Sequence, residues 1–204
     1  VQQYLHAFGG LIALLGLVAA GCGVALALLG ARAVRDGATW SSYLARVGPR
    51  VAFAVLCLGT AFATLTPAGA RDGRAVDLVP LRTALAAGMT TTTPMQIAGN
   101  LALLFWLGLL LPVVSSRRWT VGRTTAVVAV TSAGIEAAQY VLGLGRFSTV
   151  DDVLLNTLGG AVAAVVGVHV LAPWVRQCTR LEAAVKRGSR APVDEDGGAR
   201  LSQG

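Results

Sequence analysis

Long apolar runs separated by short polar and basic stretches set the pattern of this chain: Phe8 to Gly30, Val51 to Thr66, Gln96 to Val114, Thr124 to Leu144 and Val153 to Pro173. Their continuity predicts helices, because strands of a membrane barrel would alternate apolar and polar positions over segments of about ten residues. At ~1.5 Å per residue most of the runs can cross a hydrocarbon core of ~30 Å. Val51 to Thr66 is short, and must thin the bilayer or borrow flanking residues. The expected architecture is an all-α integral membrane protein, a multi-pass bundle of five transmembrane helices in a cell membrane.

Between the runs, two weaker periodicities stand out. Trp40, Tyr43, Leu44 and Val47 fall at helical spacing with Arg46 and Arg50 off the stripe, and Trp174, Cys178, Leu181 and Val185 repeat the pattern after the fifth run. Each predicts a short amphipathic helix lying on the membrane surface. The stretch from Gly188 to Gly204, rich in Gly, Ser and charge, reads as a disordered tail. The connection from Pro67 to Pro94 is too apolar around VDLVPLRTAL for a solvated linker, so part of it is expected to fold back onto the membrane surface. Organised this way, the chain divides into 1–50 (first helix and interfacial segment), 51–173 (a four-helix membrane domain) and 174–204 (amphipathic segment and tail).

Composition agrees with this: 54% hydrophobic residues, 13% charged residues and a mean hydropathy of +0.65 exclude an ordinary soluble domain. Ala31-Arg32-Ala33 resembles a signal-peptide cleavage site, but no positive segment precedes the first run and the run is too long, so a retained helix is expected. Thirteen of the 17 basic residues fall between helices 1 and 2, between helices 3 and 4, or after helix 5, against Arg71, Arg74, Arg82 and Arg146 in the other connections. The positive-inside rule then predicts an outer N-terminus and a cytoplasmic C-terminus. The net charge of +7 is accounted for by topology and by attraction to anionic lipid headgroups, with no nucleic acid required. Cys22, Cys57 and Cys178 share no motif, so neither a disulfide framework nor a metal site is expected, and no cofactor is implied.

Against this apolar background one stretch is anomalous, Glu136 to Gly160. Ionisable groups inside a span are costly and usually functional. Glu136, Gln139 and Tyr140 share a face of the fourth helix, and Asp152 and Asn156, four apart, share a face at the start of the fifth. Asn100, one turn inside the third helix, has Gln96 beside it. Under the predicted orientation all of them lie in the outer half of the membrane, Glu136 deepest at about 12 Å. They are expected to converge on an outward-facing cavity between helices 3, 4 and 5. Arg146, between the fourth and fifth helices, is placed to pair with Asp152 or to reach Glu136. Packing through interhelical hydrogen bonds, with Gly159 and Gly160 allowing close approach, is the competing explanation. His169 reads as a packing or interfacial residue.

These residues resemble the VanZ-like family of bacterial membrane proteins. Ile135, Glu136 and Gln139 match its Ile-Glu-x-x-Gln, and Arg146, Asp152, Asn156, Thr157, Leu158 and Gly159 match the Arg, the Asp and the Asn-Thr-Leu-Gly that follow. Weaker features are Thr64-Leu65-x-Pro67, Val79-Pro80, and Asn100 with Gly108. Two departures stand out. Trp106 occupies a position where relatives often carry a helix-kinking Pro, and Thr149 stands where an Asp is common. The resemblance implies a role in the cell envelope or in tolerance to lipoglycopeptide antibiotics such as teicoplanin, without implying catalytic residues.

Three functions follow as expectations. The first is a non-enzymatic protein whose site, Asn100, Glu136, Gln139, Arg146, Asp152 and Asn156, binds a lipoglycopeptide or a lipid-linked cell-wall precursor among the membrane lipids. The second is a membrane-embedded enzyme acting on such a precursor, with Glu136 and Asp152 as the catalytic candidates. The third is a structural or assembly protein whose polar core fixes helix register.

Overall fold

A computed structural model describes residues 2–67, 76–77, 92–115, 117–144 and 148–188. Two helices come first, α1 (Gln2–Arg35) and α2 (Trp40–Leu65), followed by a two-residue strand β1 (Val76–Asp77). The third span is a broken pair, α3 (Thr92–Leu103) and α4 (Phe105–Val114), and the fourth is α5 (Val121–Leu142). After strand β2 (Ser148–Thr149), α6 (Val150–Val166) runs through a π-helical turn (Gly167–Leu171) into α7 (Ala172–Gly188). Among the described residues, five helices are long and apolar enough to cross a membrane.

Local chemistry sets the ends. Thr39, Thr120 and Thr149 cap α2, α5 and α6, each hydroxyl accepting from a backbone N–H three residues on. Gly143, at φ 61°, ends α5, and the Gly143 and Leu144 N–H groups reach back to the Tyr140 and Gln139 carbonyls. Pro67, just beyond α2, prevents its continuation.

Three boundaries differ from expectation. The surface helix expected at Trp40–Val47 is instead the start of α2, whose 26 residues run unbroken past residue 50, so the second span is not short. Pro49 removes a single backbone bond, to the Ala45 carbonyl, and the arginines around it interrupt hydropathy without interrupting the helix. The third span breaks at Leu104 (φ −111°, ψ 11°) although Trp106 has replaced the usual cause of a kink. There the Leu107 and Gly108 N–H groups both donate to the Leu104 carbonyl, a local tightening of the helix. Finally, the amphipathic segment after the fifth run is continuous with that run. Pro173 has no N–H to give His169, and the Ala172 N–H donates instead to Gly167 five residues back, so a π-turn replaces a break. His169 in that turn is exposed.

The bundle is organised around α6, which packs against α3, α4 and α5. Glycines make this possible: a Cβ on Gly159 would strike the Leu101 carbonyl, one on Gly108 the Gly160 carbonyl, and one on Gly160 the Val128 side chain. Leu104, Leu107 and Val128 form the adjoining apolar core, with Phe53, Trp106 and Ile135 against it. On the periphery α1 packs on α2, where Trp40 covers Gly30. Outward-facing residues such as Leu17 (72% exposed) and Leu28 (64%) are large and apolar, as a lipid-facing surface requires.

Candidate functional site

The C-terminal ends of α2 and α5 and the N-terminal ends of α3 and α6 meet at one end of the bundle. Asp151 and Asp152 occupy the first turn of α6, where the helix dipole favours negative charge and Thr149 accepts from the Asp152 N–H at 3.1 Å. From α3, the Asn100 side-chain amide donates to Asp152 Oδ1, joining the third and fifth spans. One turn deeper, Asn156 donates to Ser132 Oγ at 2.9 Å and joins the fifth span to the fourth. Asn156 is 1% exposed, and its Oδ1 is buried without a hydrogen-bond partner. A buried acceptor in that condition costs about 1–3 kcal/mol.

Gln139, 5% exposed, donates through Nε2 to the Thr64 carbonyl at 2.9 Å. That carbonyl belongs to the last turn of α2, where no intrahelical donor remains, so α5 completes a helix that Pro67 ends. Glu136 is half-buried on the same face of α5, between Ser132 and Gln139. Tyr140 and Gln96, expected near these groups, are exposed. Arg146 lies outside the described residues.

Beside this cluster runs a groove of about 430 Å³ among the second, third and fourth spans, whereas the expected cavity lay among the third, fourth and fifth. The middle of the third and fifth spans is instead closed by the glycine contacts described above. Leu104, Leu107 and Ile135 form the groove's apolar floor, and Cys57, Ala61 and Gly134 on its rim are exposed. Trp106 is fixed in its wall by donating to Thr60 Oγ1 at 3.0 Å and by packing edge-on against Phe53 at 5.3 Å. Thr64 lines the groove while its carbonyl receives Gln139, so cluster and groove share a wall. Over the same end, Val76–Asp77 of the long connection pairs in parallel with Ser148–Thr149, immediately before the α6 cap. The remainder of that connection, Val79-Pro80 included, lies outside the described residues.

The arrangement offers carboxylates and amide groups at the end of a bundle, next to an apolar channel open along its rim. The sequence pattern of this region was matched to a family model described as VanZ/LLP1 over residues 51–171, more than half of the chain. The chain belongs to the VanZ/LLP1 family. No curated protein and no solved structure matches it. The VanZ/LLP1 region begins inside α2 and closes at the end of the π-turn, so it contains the polar cluster, the groove and the glycine contacts, and leaves α1 and α7 outside.

Sequence reasoning paired the polar residues of this VanZ/LLP1 region with one another, and missed Ser132 and the Thr64 carbonyl as partners. Ser132 had a signal: Thr124, Val128, Ser132 and Gln139 are the buried residues of α5 and follow helical spacing. The Thr64 carbonyl had less, since a backbone acceptor carries no residue-type signature.

Proposed function

We propose that this VanZ-like membrane protein acts in envelope biology by binding a lipid-tailed, polar-headed molecule, without transforming it. In this reading the N-terminus is outside, the C-terminus is cytoplasmic, and the polar cluster faces outward. The basic residues between spans 1 and 2, between spans 3 and 4 and after span 5 support that orientation. The carrying observation is the shared wall: Thr64 borders an apolar groove of about 430 Å³ and accepts from Gln139 of the polar cluster. Its volume is in the range of small-molecule sites, ~300–1,000 Å³. An acyl tail suits the groove, and hydroxyl or ammonium donors of a headgroup suit Asp152 and Glu136. A lipoglycopeptide of the teicoplanin kind, or a lipid-linked cell-wall precursor, has that division of chemistry.

Expression in a susceptible host tests the reading. Tolerance should rise more for teicoplanin than for vancomycin, which lacks the tail, and Asp152→Asn should remove the difference while the protein stays folded in the membrane. Equal tolerance to both drugs, or none, overturns it. A chemically altered precursor pool in the expressing cells would instead point to an enzyme.

A further inference from the structure

A second cavity, of about 230 Å³, lies at the opposite end of the bundle among the first turns of α2, the end of α4 and the start of α7. Ala45, Val113 and Val175 give it an apolar floor. Arg46 and Arg50 border it from successive turns of α2 and Arg176 borders it from α7, with the hydroxyl-bearing Ser115 and Thr179 between them. Among the described residues that line it there is no carboxylate. All three arginines are exposed, so solvent weakens their mutual repulsion; Arg50 donates to the Arg46 carbonyl, and an anion seated among them would meet a locally positive surface.

Two backbone irregularities shape this cleft. Pro49, in its wall, leaves the Ala45 carbonyl without its helical donor. The π-turn adds one residue to the helical path, which rotates everything after it by about 100° relative to an uninterrupted helix. That rotation sets the direction in which Val175, Arg176 and Thr179 face. The arginines are thus gathered by specific turns of two separate helices, whereas Arg117 and Arg118, at the same end, do not line the cleft.

We propose that this cleft is a binding site for a phosphate-bearing anion, namely the headgroup of an anionic phospholipid. Arginine forks match phosphate oxygens, and the hydroxyls of Ser115 and Thr179 can add donors. The lipid source is favoured by α7, which exposes Trp174, Leu181 and Val185 on the face turned away from Arg176, as a helix at a membrane surface does, and by the apolar floor, which suits the first carbons of the lipid. The site is distinct from the polar cluster and does not depend on the function proposed for it.

Native mass spectrometry of the full chain in detergent, with phosphatidylglycerol or phosphatidylcholine added, tests this. Phosphatidylglycerol should be retained preferentially, and Arg50→Gln with Arg176→Gln should weaken its retention roughly 30-fold, about fivefold per arginine. Arg117→Gln with Arg118→Gln should leave retention nearly unchanged. Arg50→Lys with Arg176→Lys keeps the charge and loses the fork, so it should give an intermediate loss, and it serves if the Gln variant does not fold. Displacement by millimolar inorganic phosphate would assign the site to soluble phosphate, and persistence would assign it to the lipid. Equal retention of the two lipids, or equal weakening by the two Gln pairs, overturns the proposal.

Discussion

Glycine means opposite things in the middle of α1 and in α6. In α1, a Cβ added to Gly16, Gly21 or Gly23 would meet nothing within 4 Å, whereas Gly159 and Gly160 of α6 lie against the Leu101 carbonyl and the Val128 side chain. The two helices have similar apolar compositions, yet from Gly16 to Arg35 almost nothing in the first is buried, whereas the other is the axis on which three neighbours pack. In a bilayer, where apolar side chains gain little by leaving lipid, the difference comes from how closely backbones approach. It is also the difference between a helix outside the VanZ/LLP1 region and one inside it.

The largest expected effect follows directly. Gly159→Leu should cost about 3 kcal/mol or more, because its side chain has a backbone carbonyl in its way, and monodisperse protein should be lost on size-exclusion chromatography. Gly21→Leu should elute as the parent does. Similar behaviour of the two variants would erase the contrast between the helices.

Next in size is the Asn156–Ser132 pair, which ties α6 to α5. Asn156→Ala and Ser132→Ala should each lower stability by about 1 kcal/mol, and a double-mutant cycle should return a coupling of about 0.6 to 1.7 kcal/mol in thermal unfolding. Additive effects would show that the hydrogen bond contributes nothing of its own. Asp152→Asn should cost at most about 1 kcal/mol at the α6 terminus, so unfolding barely moves while discrimination between tailed and untailed glycopeptides is lost. Smallest of all, Gly16→Ala, Gly21→Ala and Gly23→Ala should each shift stability by less than about 0.5 kcal/mol, read in the same melt.

Hydropathy carried the five long apolar helices seen among the described residues, because continuous apolar runs in a membrane have few alternatives to helix. It failed where backbone and side chain give different messages. Arg46, Pro49 and Arg50 look like an interruption, yet a helix with a capped start tolerates one missing bond and snorkelling arginines. The break at Leu104 involves no Pro, and the Gly108 beside it carries a packing role, so nothing local announces it. At the site, Asn100 and Asp152 were expected to converge on one cavity because polar side chains in lipid seek one another, but their direct hydrogen bond was not foreseen, Arg146 being the partner expected for Asp152 or Glu136. Trp106 was read as a departure from the family pattern, and only three-dimensional proximity to Thr60 and Phe53 turns it into a groove wall.

Gln139 and Thr64 are 75 residues apart in the chain, and that separation has a consequence for biosynthesis. At ~5–20 residues per second, a ribosome takes roughly 4–15 s to make the intervening segment. Until that segment has been made, the Thr64 carbonyl lacks the donor that will complete it. The arrival of α5 in the correct depth and rotation supplies the missing amide, so this bond forms only when the fourth span has docked in register.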